Sequence, residues 1–127
     1  MVVYEAITRS IKVVVRPFYL DERSNILEKR FVFGYHVRIE NRGDEEIQLL
    51  SRHWVIRDDQ GRTREIEGEG VIGRQPVIEA DNVHEYNSYC VIESFEGTME
   101  GTYLMQLPSG ERFHVEIPLF HLVAASN

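Results

Sequence analysis

The chain has 127 residues, 43% of them hydrophobic, which suffices for one domain with a core of its own. Fourteen basic residues stand against 21 acidic ones, a formal charge of −7, so the overall field repels nucleic acid and anionic membranes. A lone cysteine, Cys90, excludes an internal disulfide. With no apolar run near the roughly 18 residues of a membrane span and no long apolar leader in MVVYEAITRSIKVVVRP, the expectation is a cytoplasmic protein without membrane insertion.

Taken in chain order, Ile11, Val13 and Val15, apolar at every second position, predict the first strand. Residues 21–30 predict a loop or a single turn. Phe31, Phe33, Tyr35, Val37 and Ile39 alternate with less apolar residues as a half-buried strand does, and Asn41-Arg42-Gly43-Asp44-Glu45 ends it in turn chemistry. A strand from Ile47 to Asp58 follows. Its apolar phase slips between Leu49 and Trp54, the signature of a β-bulge.

Asp58-Asp59-Gln60-Gly61 predicts a hairpin loop that returns Thr63–Glu67 antiparallel. Glu65, Glu67 and Glu69 share one face of that return, so the face is solvated. His84–Ile92 and Thr98–Leu107 predict two more strands, the first with Tyr86, Ser88, Cys90 and Ile92 on one side, the second bearing Met99, Gly101, Tyr103, Met105 and Leu107. Phe113, Val115 and Ile117 alternate in the last, which Pro118 is expected to terminate. About seven short strands joined by turns, with no amphipathic helix, predict an antiparallel β-sandwich or barrel. Phe33, Tyr35, Val37, Trp54, Ile56, Tyr103 and Val115 are its expected core. Tyr86, just after the turn at Ala80-Asp81-Asn82, stands where a tyrosine corner bonds back to upstream backbone.

Gly68-Glu69-Gly70-Val71-Ile72-Gly73 spells G-x-G-x-x-G. In dinucleotide-binding folds that run joins a strand to a helix whose N-terminus holds pyrophosphate. No helix can follow here, because Arg74-Gln75-Pro76 comes next and proline disfavours helical geometry in its predecessor. The glycines are expected to serve a β-loop needing positive φ and close strand approach. The competing reading makes Gly68, Gly70, Gly73 and Arg74 an anion-binding loop, with outward amides forming a nest and Arg62, Arg64 or Arg74 supplying charge. Glu67 and Glu69 oppose it.

These segments also carry a family resemblance. RFVFGYHVRIEN, IQLLSRHWVI, GEGVIGRQPVI, GTMEGTYLM and VEIPLFHL, in that order, resemble the ApaG family over residues 10–123. The resemblance implies a fibronectin type III or immunoglobulin-like β-sandwich, occurring in bacteria and as a domain of some eukaryotic F-box and DNA-polymerase-interacting proteins. It implies a cytoplasmic protein without established catalysis, linked to cobalt tolerance and magnesium efflux and often encoded beside a diadenosine tetraphosphate hydrolase. Gly68, Gly70 and Gly73 fall on the family's glycines. Ser51, His53 and Asp81-Asn82 depart from its glycine, tyrosine and Pro-Gly turn.

Neither a catalytic residue nor a metal ligand set emerges. Cys90 lies on an apolar phase, as a buried thiol does. His36, His53, His84, His114 and His121 show no ligand spacing, and the acidic groups at Asp44-Glu45-Glu46, Asp58-Asp59 and Glu79/Asp81 sit at turns. The expectation is a noncatalytic binding module with no cofactor and no metal. Its partner is expected to be another protein, with a second copy of the chain (a homodimer) or a small phosphate-containing ligand as alternatives. Metal-dependent hydrolysis of a phosphoanhydride is the third and weakest reading, for want of ligands or a general base.

Overall fold

A computed structural model describes residues 2–124. Nine strands form two antiparallel sheets: β1 (Tyr4–Thr8), β2 (Ile11–Tyr19), β3 (Phe31–Asn41), β4 (Ile47–Asp58), β5 (Thr63–Glu69), β6 (Val77–Ile78), β7 (Val83–Ile92), β8 (Glu96–Gln106) and β9 (Arg112–Val123). The first sheet runs β1-β2-β3-β7 and the second β5-β4-β8-β9, with β6 beside β4. One 3₁₀ turn, Asp21–Arg23, lies in the predicted loop.

The two faces pack as the alternation predicts. Phe33, Tyr35, Val37, Trp54, Ile56, Tyr103 and Val115 are all buried. Trp54 is 3% exposed, with its indole set edge-on to Phe120 at 5.9 Å and to Tyr35 at 5.4 Å between ring centroids. The phase slip in β4 is a register shift against β8 between Leu49 and Ser51, so Arg52, Trp54 and Ile56 turn towards the first sheet.

Two expectations are corrected. The first strand of the fold is β1, one strand earlier than Ile11–Val15; it holds only Tyr4, Ala6 and Thr8 on its inner phase, too short a pattern to read. Pro118 does not end the last strand, which continues to Val123. The β8–β9 register shifts between Met99 and Gly101, where Pro118 and Leu119 oppose the single Glu100. A bulge is the place in a paired strand where a missing N–H costs no ladder bond.

The two long sides of the sandwich differ. On one, β1 packs on β9: Tyr4 meets Phe120 and Thr8 Oγ1 accepts the Glu116 amide at 3.0 Å. On the other, the first sheet ends at β7 while the second continues to β5, whose packing partner is β4. That offset leaves the second sheet protruding by one strand.

Candidate functional site

The protruding strand defines the site. Arg64, Ile66 and Gly68 of β5 pair with Ile56, Trp54 and Arg52 of β4, so they face the same way as the buried Trp54. Residues facing the core in one strand need cover from the opposite sheet. Ile56 and Trp54 have it, whereas Ile66 is 37% exposed. The Arg64 guanidinium reaches across the gap and donates from Nη2 to the Val91 carbonyl of β7 at 2.9 Å. Glu65, Glu67 and Glu69 occupy the opposite, solvated face as expected, and His53 bonds Glu65 there at 2.8 Å.

Arg52 is the half-buried cation of this cleft. Its Nη1 donates to the carbonyls of Glu69 at 3.0 Å and Gly70 at 2.8 Å, tying β4 to the glycine turn. Among the described residues no carboxylate pairs with it. Its charge bears on the hydroxyls of Tyr35, Tyr86 and Tyr103, which burial holds above the ordinary tyrosine range. The Tyr86 hydroxyl bonds that of Tyr103 across the two layers, and Ser88, opposite Tyr35 in the β3–β7 ladder, offsets part of the rise at Tyr35. Gly68 leaves room for the guanidinium, since a β-carbon there would sit 2.9 Å from Nη1 and Nη2. The expected tyrosine corner is thus corrected: Tyr86 bonds a side chain of the opposite sheet, because the indented edge places its ring over Tyr103.

The glycine run divides between strand and turn. Gly68 belongs to β5, while Gly70 to Arg74 form a tight turn in which Gly70, Ile72 and Gly73 have φ of +62°, +47° and +73°. The Gly70 amide donates to Leu50, and Val71 and Arg74 exchange backbone bonds of 2.7 and 3.0 Å. Three of the amides available to a nest therefore have acceptors within the chain. A β-carbon on Gly70 would overlap the Arg74 carbonyl, whereas one on Gly73 would meet nothing. Arg74 is exposed; burial lowers the pKa of His84, and the Arg74 charge adds to that. Arg62 pairs with Asp58 at 2.6 Å and Glu93 at 2.7 Å, and Arg64 with Val91. The three arginines of the anion reading do not converge on the turn.

Cys90 is buried, and desolvation pushes its thiol up to about 12, so it is neutral at physiological pH; its Sγ lies 3.4 Å from Met99 Sδ. His36 is held by Asn87 at 3.0 Å and Glu85 at 2.9 Å on the outer face of the first sheet, and His114 is exposed. Among the described residues no three His, Cys, Asp or Glu side chains come together as a metal site. Arg52 escaped the sequence reading. Its one signal is an arginine on the apolar phase two residues before Trp54, visible only once the bulge fixes that phase.

The family model described as the ApaG domain matches residues 21–107. Protein ApaG of Rhodospirillum centenum is 50% identical over 119 residues, covering 94% of this chain and 92% of that protein. Protein ApaG of Mesorhizobium japonicum is 46% identical over the same extent. A crystal structure from Bordetella pertussis, of a protein described as ApaA, superposes with a TM-score of 0.88 at 38% identity, covering 92% of this chain and 95% of that one. Among the described residues no helix is long and apolar enough to cross a membrane.

Proposed function

The chain belongs to the ApaG family, and from that premise we propose that it is a cytoplasmic, noncatalytic binding module that engages another protein along the uncovered side of the sandwich. The carrying observation is the offset of the sheets: β5 protrudes past β7, and Ile66 presents an inward-facing side chain with no strand above it. Inward apolar surface left uncovered next to an unpaired strand edge is what a partner covers. Cys90 is too deeply buried and too weakly acidic to act as a nucleophile. A role in divalent-cation homeostasis, implied by the family resemblance, is exerted through the partner, since among the described residues no three His, Cys, Asp or Glu side chains come together.

Site-specific photocrosslinking tests this reading. A photoreactive residue at Asn87, on β7, is expected to capture a defined protein from cytosolic extract, and one at Glu5, on β1, to capture none. Equal adducts from both positions, or none from Asn87, would remove the open side as the docking surface.

A further inference from the structure

We propose, resting on that reading, that the free edge of β7 takes up an extended, acidic segment of the partner as a fifth strand of the first sheet, with an inward carboxylate on Arg52.

The backbone sets the geometry. Val32 of β3 donates its amide to Ser24 Oγ, and its carbonyl accepts from Leu20, both on the β2 side. Val32 pairs with Val91, so that pair exchanges no ladder bonds and the amide and carbonyl of Val91 point away from β3. Alternation then turns outward the backbone groups of Val83, Glu85, Asn87 and Tyr89 as well. These are the free hydrogen-bonding groups of an edge strand. Arg64 has capped the carbonyl of Val91, leaving the run from Val83 to Tyr89 for a visitor.

An added strand lies about 4.8 Å beyond β7, over β5, with every second side chain directed at the inner face of Arg64, Ile66 and Gly68. Those positions specify the visitor. Ile66 calls for an aliphatic residue. Arg52, half-buried and without a carboxylate partner, calls for Asp or Glu, because a charge-assisted bond compensates a desolvated guanidinium better than carbonyls do. A second copy of the chain fits less well: β7 would bring His84, Tyr86, Ser88 and Cys90 inward, none of them acidic. Against a chain of net charge −7, this cleft is where an acidic segment meets local positive charge.

The test selects random displayed peptides of about eight residues, an ordinary strand length, against the purified full chain, and then synthesises the enriched peptide. The expected winner alternates aliphatic residues with Asp or Glu and perturbs the amides of Glu85, Asn87 and Tyr89 in ¹⁵N spectra. Replacing its acid by the amide is expected to weaken binding about tenfold to the wild type and not to Arg52→Gln. N-methylation of alternate peptide amides abolishes binding. Should Arg52→Gln fail to fold, the acid-to-amide exchange in the peptide still reads the contact. No enrichment, a basic consensus, shifts confined to Gly68–Gly73, or a self-associated dimer with the same amides protected would overturn the proposal. If crosslinks still form from Asn87 while no peptide adds to β7, the docking surface stands and strand addition falls; if neither occurs, both fall.

Discussion

The hydroxyls of Tyr86, on β7, and Tyr103, on β8, bond each other inside the sandwich and pin the indented edge of one sheet to the middle of the other. Removing one hydroxyl strands its partner in a buried setting, which costs the desolvation of an unsatisfied group; removing both does not. Tyr86→Phe and Tyr103→Phe are each expected to cost about 1–3 kcal/mol, and the double variant less than their sum by about 1 kcal/mol or more. Urea denaturation of the four proteins measures the coupling, and strict additivity would show that the hydroxyls act independently.

The same burial sets a pH dependence. Tyr35, Tyr86 and Tyr103 are raised above the ordinary tyrosine range by desolvation, and Cys90 is raised to about 12. In the unfolded chain these groups ionise near pH 10 and about 8.5, so above those values the unfolded state holds fewer protons than the folded one. The stability they contribute is full at neutral pH and is lost as pH rises. Above pH ~10 it is expected to fall by more than about 1.4 kcal/mol per pH unit. Denaturation midpoints measured from pH ~8 to ~10.5, a range that spans those ionisations, check the sign; a flat profile would contradict it.

Trp54 and Ile66 sit opposite each other in the β4–β5 ladder, facing the same way, yet only Trp54 is covered. Trp54→Ala is expected to cost about 3–5 kcal/mol through lost burial and a cavity beside Tyr35 and Phe120. Ile66→Ala should cost about 1 kcal/mol or less. Chemical denaturation separates the two, and a large loss at Ile66 would mean that its side chain is part of the core.

The difference between those two residues also marks how far the sequence is legible. Period-2 alternation reports which residues share a face, and it placed Phe33, Trp54, Tyr103 and Val115 inside, together with the bulge after Leu49. It cannot report how far one sheet extends past the other. Ile66 and Trp54 read alike along the chain, and the offset that separates them comes from strand order, a non-local property. Pro118 misled for a related reason: its missing donor is harmless opposite Glu100 because β8 and β9 shift register there, which only the pairing shows. Arg52 was hidden because its contacts, at Glu69 and Gly70, come from the far end of the return strand, 17 and 18 residues on.

The glycine turn gives the last prediction, because its two positive-φ glycines differ in surroundings. At Gly73 an added methyl meets nothing, so Gly73→Ala costs only the backbone strain of a left-handed residue, about 1 kcal/mol. At Gly70 the same strain is joined by overlap with the Arg74 carbonyl, which the turn cannot release without breaking the paired bonds between Val71 and Arg74. Gly70→Ala is therefore expected to cost at least about 2 kcal/mol, in thermal or urea melts. A ligand role for the turn makes a different claim: pyrophosphate at a hundredfold excess over its dissociation constant would stabilise the wild type by about 2.7 kcal/mol. With the Gly70, Val71 and Arg74 amides already bonded and Glu67 and Glu69 exposed nearby, the expected shift is small and fades with salt as nonspecific screening does. Melts of wild type, Gly70→Ala and Gly73→Ala, each with and without millimolar pyrophosphate at fixed ionic strength, distinguish the accounts. A large, salt-resistant shift in the wild type that both substitutions abolish would establish the turn as an anion site, whereas unequal losses without any such shift leave the glycines as devices of backbone geometry.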